Sequence, residues 1–442
     1  MTIFQKIKQM LGLTEYKQLF GDVDISEDML RFIDFWRDMQ TGNAPWNAQA
    51  ASVKIPTGIC REFADVAVNE MTVSTDVEKI QEVLDEIKNG LNENLQDGLA
   101  LGSLIIKPYL KQNGDIGIDF VTPDRFIPIR FSDTGDLLDV AFIQTLKKSD
   151  TEKYYRIERH TLKDGKLTIT NKAFAGGMNT IGSQIPLTTV EIWAGLIPEV
   201  TYPISHMDFG YFKAPIKNRI DYSPCGVSVY AGVEELIERV DKQVARIDWE
   251  FESGERAVHV DERALKHRKG QVYMPELNNR LYRGLDLDAG NQELLKEYSP
   301  AFRQADLIQG LESYLRQIEF IVGLSYGDLS NVNEVDKTAE EIRASKQRKY
   351  NRVNAIQTNL KKCIEGLVEA IAFYAGVYSV KHEVVVNFED SILTDEKAAR
   401  EQDRQDVNMG VMSLAEYRAK WYGEELEEAE KNLPEMTTVF NV

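Results

Sequence analysis

The segment from Pro300 to Val380 constrains the fold more than any other part of the chain, because it predicts two long helices joined by a short polar loop. Apolar residues recur at helical spacing through its first part and stop at Gly323. A loop of residues 325–337, rich in Ser, Gly, Asn and Asp, follows. The capping-box spacing of Thr338 and Glu341 then predicts a second helix that runs to about Tyr378.

The second predicted helix carries a concentrated positive charge. Between residues 343 and 362 it has seven basic residues and no acidic one, in a chain whose formal net charge is −19. A charge run on a helix is usually a solvated face, so this pattern alone does not decide between a solvent face and a face near DNA. A strongly acidic protein that meets DNA would repel it over most of its surface and attract it only at local basic stripes.

Length and composition are those of a soluble protein with several structural units. At 442 residues the chain predicts two to four units. The sequence has no run of eighteen apolar residues and therefore predicts no membrane span. Its N-terminus lacks the features of a signal peptide. Cys60, Cys225 and Cys363 are odd in number and far apart, which favours reduced cytoplasmic thiols over a disulfide framework.

The remaining patterns predict an α+β fold that is mostly helical. Residues 1–97 are predicted to be helical, and residues 103–213 form a meander of β-hairpins. A third long helix is predicted from about Val227 to the C-cap at Ser253–Gly254. A small insertion follows, and its residues 256–283 hold seven basic and three acidic residues. The C-terminal part predicts a short strand at 382–388 and a helix opened by the capping box of Ser413 and Glu416.

No catalytic or metal-binding pattern emerges from the residues. The five histidines have no ligand spacing, and the glycine-rich stretch 177–182 lacks the lysine of a phosphate loop, so it predicts a hairpin tip. Cys363 has apolar neighbours and is predicted to lie in the core. Two carboxylate pairs, Asp286 with Asp288 and Glu389 with Asp390, leave a Mg²⁺-dependent DNA-processing enzyme as an alternative. The main interpretation has no catalytic residue, no metal and no cofactor.

The order of segments along the chain resembles that of the portal proteins of tailed bacteriophages, in particular those of long-tailed phages of Gram-positive hosts. Each segment is weakly specific by itself, and the likeness lies in their order and spacing. They are residues 120–128 (FVTPDRFIP), 223–230 (SPCGVSVY), 323–327 (GLSYG), 337–342 (KTAEEI) and 410–418 (GVMSLAEYR).

The resemblance implies a portal-type fold, with a wing, a helical stem, a small α/β clip, a tunnel loop with a long helix behind it, and a helical crown. The implied boundaries are 1–225 for the wing, 226–255 for stem helix 1, 256–299 for the clip, 300–324 for stem helix 2, 325–337 for the tunnel loop, 338–380 for the long helix and 381–442 for the crown.

The implied function is a non-enzymatic head–tail connector, a ring of twelve copies at one capsid vertex of the virion. Double-stranded DNA would pass through it without sequence recognition during genome packaging and ejection. Expected partners are the terminase large subunit, head–tail adaptor proteins, a scaffold protein and the major capsid protein, with assembly in the host cytoplasm and no membrane. A minor capsid or scaffold protein that forms no ring is a further alternative.

Two groups of residues are the site candidates. The first is expected near DNA in the tunnel loop and the following helix, and the second is expected at the clip, where the motor or adaptor docks. They are Asn331, Asn333, Lys337, Arg343, Lys346, Arg348 and Lys349 in the first group, and Arg263, Lys266, Arg268 and Lys269 in the second.

Overall fold

The computed structural model mixes helices with mainly antiparallel sheets, so the fold is α+β with a substantial helical part, as predicted. Several stretches lie outside the described residues, and side chains are described over a smaller set than the backbone. The structure describes residues 19–111, 113–177, 181–254, five short strands between 257 and 298, 301, 303–331, 339–378, 383–388 and 396–433.

Three helices and one strand form the first part of the described chain. They are α1 (Glu27–Thr41), α2 (Ile55–Val68), β1 (Met71–Thr75) and α3 (Glu78–Leu101). Helix α1 begins at a Ser26 cap, whose side chain accepts a hydrogen bond from the backbone N–H of Met29. The prediction of unbroken helix through residue 97 is wrong at β1, because its β-branched residues pair with a strand near the other end of the chain.

The predicted β region consists of two antiparallel sheets. One has the strand order β10-β2-β3, and the other runs from β4 to β8 with β9 paired to β7. Strand β7, which ends at Gly177, pairs antiparallel with β8, which begins at Ser183, while residues 178–180 of the glycine-rich stretch lie outside the described residues. The strands are β2 (Ser103–Leu110), β3 (Ile116–Val121), β4 (Phe126–Phe131), β5 (Leu137–Lys147), β6 (Glu152–Lys163), β7 (Lys166–Gly177), β8 (Ser183–Ile185), β9 (Glu199–Tyr202) and β10 (Gly210–Lys213).

A buried ionic network joins the β region to the long helix of residues 339–374. The Nδ1 of His160 lies 2.7 Å from Asp208, and its Nε2 lies 2.7 Å from Glu158. Tyr374 donates to Asp208 at 2.9 Å, and Lys107 contacts Glu158. Burial disfavours the charged ring, but the two carboxylates outweigh it and raise the pKa of His160.

Two helices flank the small insertion. The sequence predicts the helices as the stem and the insertion as the clip. Helix α4 (Glu234–Ser253) ends where predicted but begins seven residues later than Val227. The reason is that residues 227–233 form buried turns against the end of α3, where Val229 donates to the carbonyl of Leu99 at 3.0 Å. The insertion contains β11 (Ala257–Asp261), β12 (Lys266–Arg268), β13 (Gln271–Tyr273), β14 (Tyr282–Leu285) and β15 (Leu295–Tyr298), and α5 (Gln304–Val322) follows it.

The long helix α6 (Ala339–Tyr374) lies in the core of the larger compact unit. Its apolar residues, from Val353 to Ile371, are fully buried. The backbone of β10 approaches it so closely that a Cβ on Gly210 would lie 2.4 Å from the carbonyl of Cys363. The helix ends at Tyr374 rather than at Tyr378, because Gly376 adopts a left-handed conformation with φ of 72°.

The C-terminal residues form a separate compact unit. After β16 (Val384–Phe388), which pairs with β1, come α7 (Glu396–Asn408), α8 (Leu414–Tyr422) and α9 (Leu426–Lys431). The predicted capping box at the start of α8 is confirmed, since Ser413 and Glu416 each accept a hydrogen bond from the other's backbone. Within the unit, Trp421 donates to Asp403 at 2.8 Å.

Candidate functional site

Helices α4 and α5 form the antiparallel hairpin that the sequence predicts as the stem. Gln243 donates to the carbonyl of Leu307 at 2.9 Å, and Arg303 pairs with Glu250 at 2.7 Å seven residues along α4. The two residue pairs fix the level of one helix against the other. The buried residues of the two helices lie in the half nearest the loop and include Ile237 and Val240 of α4 and Leu315, Ile318 and Val322 of α5. The hairpin is therefore held by packing in the half nearest the loop and by polar contacts near the insertion that connects the two helices.

The face of α5 that points away from α4 lines a groove of about 830 Å³, which extends along more than four turns of the helix. Phe320 is 57% exposed on this face and Ile321 is 46% exposed. On α4, Trp249 is 66% exposed. The groove is lined by Ala305, Ile308, Gln309, Glu312, Ser313, Arg316, Gln317, Phe320, Ile321 and Tyr326.

Arg348 contacts two aromatic residues of the groove at the end nearest the loop. Its guanidinium lies 5.0 Å from the ring centroid of Phe320 and 5.1 Å from that of Tyr326. Aromatic faces attract cations at this distance. The Nε and Nη2 atoms of Arg348, and the Nε of Arg316, are buried without a hydrogen-bond partner among the side chains that the structure describes. The groove thus combines apolar surface with positive charge.

The described part of the loop, residues 325–331, is called the loop base below. Its backbone folds onto the end of α5 at the buried side chain of Glu319. The carboxylate accepts hydrogen bonds from the N–H groups of Gly327, Leu329 and Ser330 at 3.1, 2.7 and 2.8 Å. It also accepts one from the Ser330 hydroxyl at 2.9 Å. One side chain therefore satisfies four polar groups of the loop base.

Two more contacts hold the loop base. Glu312 accepts hydrogen bonds from the backbone N–H and the side-chain amide of Asn331, at 2.9 and 3.2 Å. Lys349 of α6 lies 3.1 Å from Asp328 and also contacts Glu62 of α2. Burial raises the pKa of Asp328 in spite of the neighbouring ammonium group. The loop base is thus attached to α5, α6 and α2.

The residues that the sequence proposes as DNA contacts differ in how far they are exposed and in whether their charge is paired. Lys349 is only 8% exposed and its charge is paired within the chain. Arg348 is half-buried between aromatic rings, whereas Lys346 is exposed. Asn331 is exposed but bound to Glu312. Asn333 and Lys337 lie outside the described residues, as does the side chain of Arg343.

The remaining basic residues of α6 divide in the same way. Arg352 donates to the carbonyls of Val322 and Pro215 at 3.2 and 3.1 Å, so it joins elements inside the chain. Lys361 and Lys362 are exposed. The basic run is therefore not a single surface, although the sequence presents it as one.

In the predicted clip, two of the four candidate residues fall on described backbone. Lys266 and Arg268 lie on β12, opposite Tyr273 and Gln271 of β13. Arg263 and Lys269 lie outside the described residues. The docking assignment for this group stays a prediction.

The side chains that hold the loop base were missed by the sequence reasoning. Glu319 and Glu312 carry no motif. Glu319 has one local signal, its position in the last turn of a helix that is followed by a Ser- and Gly-rich loop, whereas Glu312 lies near the middle of α5. Asp328 and Glu62 pair with Lys349 across long stretches of chain, and no local pattern reports such a pair.

Four further findings bear on the function. Within the described residues, no group of three or more His, Cys, Asp or Glu side chains could hold a metal ion. Burial raises the pKa of the Cys363 thiol and raises that of Cys225 to about 12. The carboxylate pairs at 286–288 and 389–390 lie outside the described residues. None of the described helices has a stretch long and apolar enough for a membrane span.

Residues 67–435 match the family model described as phage portal protein, SPP1 Gp6-like. The chain belongs to this portal family. The match covers the β region, the α4–α5 hairpin, the loop base, α6 and most of the C-terminal unit. No curated protein matches the chain. Portal proteins of this family are structural rather than catalytic, and membership implies an oligomeric ring and association with the capsid.

Proposed function

We propose that copies of this chain close into a twelve-membered ring at one vertex of the capsid, and that genomic DNA passes through the ring during packaging and ejection. The clip docks the terminase large subunit and later the head–tail adaptor. The ring assembles in the host cytoplasm in contact with scaffold and major capsid proteins. Portal-family membership supports the ring, and the exposed outer face of the stem is the observation that carries the proposal.

The exposed side of the stem has the chemistry of an interface between copies. Phe320, Ile321 and Trp249 leave large apolar side chains in solvent on a helical hairpin. Phe320 and Ile321 adjoin each other in the α5 groove, and exposed apolar surface of this kind marks a binding surface. A ring needs a head-to-tail contact between two different faces of the same chain. The α5 groove and the outer side of α4 are two such faces.

Charged residues on the two faces indicate how neighbouring copies align. The pairing of Gln243 with Leu307 and of Glu250 with Arg303 places Glu235 of α4 at about the level of Arg316 on α5. The side chain of Glu235 is 88% exposed, and Arg316 lines the groove. We infer that Arg316 of one copy faces Glu235 of the next. Opposite charges at an interface favour the correct register, and like charges oppose it.

A charge-swap experiment tests the interface. Arg316→Glu and Glu235→Arg are each expected to raise the concentration needed for ring assembly by at least about tenfold, and the double variant is expected to restore assembly. Native mass spectrometry at several concentrations measures the ring. Arg31→Glu is the matched control, because Arg31 is an exposed arginine on α1 that pairs only with Asp28 in the described contacts. Failure of the double variant to recover would overturn this interface.

DNA contact is proposed for the exposed lysines of α6 rather than for the buried one. Lys346 remains available, whereas the charge of Lys349 is paired. Contacts of this type are made to phosphates and are independent of sequence. Lys346→Glu is expected to slow packaging of any DNA sequence to the same degree, with the ring intact. A sequence-dependent defect would contradict this role.

A further inference from the structure

Glu319 lies at the junction between the stem and the loop, where its buried carboxylate collects four hydrogen bonds from the loop base. We propose that Glu319 is a positioning residue: it folds the loop base onto the end of α5 within a single chain, and thereby fixes the direction in which the polypeptide leaves Asn331. The importance of this direction for DNA passage rests on the proposed channel function. The claim that Glu319 folds the loop base does not.

Burial makes the carboxylate a strong anchor. A buried carboxylate is stable only where hydrogen bonds replace the water it has lost, and three backbone N–H groups and a hydroxyl do so here. The dependence is mutual, because Ser330 is itself buried and its N–H would be left without an acceptor if Glu319 were removed. The loop base therefore gains its shape from one side chain.

The backbone of the loop base is built for this contact. Gly327 has a φ of 99°, a conformation that favours glycine over any residue with a Cβ. The N–H groups of Gly327, Leu329 and Ser330 converge on one carboxylate oxygen, and such a concave arrangement of N–H groups binds an anion. In this chain the anion is supplied by the chain itself, from the helix that precedes the loop.

A second carboxylate on the same face of α5 extends the anchor. Glu312 and Glu319 are seven residues apart, which places them on one side of the helix, roughly 10 Å apart along its axis. They hold neighbouring residues, since Glu319 binds Ser330 and Glu312 binds Asn331. The exit of the chain from Asn331 is thus set by two points on α5 rather than by one.

Hydrogen exchange on the assembled full-length protein tests the proposal. In Glu319→Ala, peptides that cover residues 324–331 are expected to exchange about 100-fold faster, because three amides lose their acceptor. In Glu319→Gln, the remaining amide oxygen can still accept these bonds, so exchange is expected to stay within about tenfold of the unsubstituted protein. Glu312→Ala is the matched control, and its effect is expected to be confined to Asn331.

The outcomes separate positioning from general stability and from ring formation. Faster exchange limited to the loop base in Glu319→Ala, with rescue in Glu319→Gln, supports the proposal. Unchanged exchange in Glu319→Ala overturns it. Faster exchange throughout α4 and α5, together with a lowered thermal midpoint, also overturns it, because Glu319 would then serve the stability of the whole hairpin. If the protein proves to be monomeric, the same comparison on the monomer still decides the role of Glu319.

Discussion

The ammonium group of Lys349 lies 3.1 Å from the carboxylate of Asp328 and also contacts that of Glu62. The contact joins the loop base, α6 and α2 at one point, where the side chains of Lys349 and Asp328 are mostly buried. It gives Lys349 a structural role, although its position in a run of basic residues makes it look like a residue that faces DNA. The neighbouring Lys346 is exposed and provides a direct comparison.

Substitution of Lys349 is expected to affect stability. Lys349→Ala leaves Asp328 without its cation in a half-buried position, which is expected to cost about 3 kcal/mol in the free energy of unfolding. Lys346→Ala, at an exposed position of the same helix, is expected to change the free energy of unfolding by less than about 0.5 kcal/mol. Chemical denaturation of the two variants measures the difference. Equal stabilities would contradict the structural role of Lys349.

The close crossing of Gly102 and Gly226 gives a second prediction. A Cβ on Gly226 would lie 2.0 Å from the carbonyl oxygen of Gly102, so the backbone would have to shift. We expect Gly226→Ala to destabilise the protein by about 2–3 kcal/mol. Gly58→Ala is the control, because Gly58 lies within α2 with nothing within 4 Å of an added Cβ, and alanine favours helix. Thermal unfolding compares the two variants. A similar loss of stability in both would contradict a close backbone crossing at Gly102 and Gly226.

The His160 network predicts a loss of stability at alkaline pH. An unfolded histidine titrates near pH 6.5, and the folded pKa of His160 is raised, so its stabilisation is complete below about pH 6.5 and is lost as the pH rises through the folded value. His160→Gln is expected to cost about 3 kcal/mol at pH 6 and progressively less towards pH 9. Thermal midpoints across this range measure the difference.

The control and the acid side of this prediction follow from the same contacts. His206→Gln is the control, because His206 is only half-buried and bonds a backbone carbonyl. The pKa values of Glu158 and Asp208 are lowered, so their contribution is present above the ordinary carboxyl range and is lost in acid. A gap between the His160 variant and the unsubstituted protein that stays constant from pH 6 to 9 would contradict a charged imidazole.

Local signals predicted the helices well where the determining residues are neighbours in sequence. Helix α5 ends at Gly323 because that glycine adopts a left-handed conformation with φ of 91°, and the capping box of Ser413 acts over three residues. Features that depend on distant contacts were missed. The strand β1 pairs with β16 across more than 300 positions, and His160 binds Asp208, which is 48 positions away.

The candidate site shows the same division. The helices α4 and α5, and the non-helical chain at residues 325–331, could be predicted, because apolar periodicity and turn residues are local. The separation of Lys346 from Lys349 could not, because it depends on where α2 and the loop base meet α6. The anchoring by Glu319 is local in sequence, but a glutamate near the end of a helix is too common to predict it.

The mass of the full-length assembly in solution tests the central claim most directly. Native mass spectrometry of the purified chain, over a range of protein concentrations, is expected to give one closed species of twelve copies at high concentration. Arg316→Glu is expected to shift that species towards smaller assemblies. A chain that stays monomeric at every concentration, with the exposed face of α5 remaining in solvent, would contradict the account.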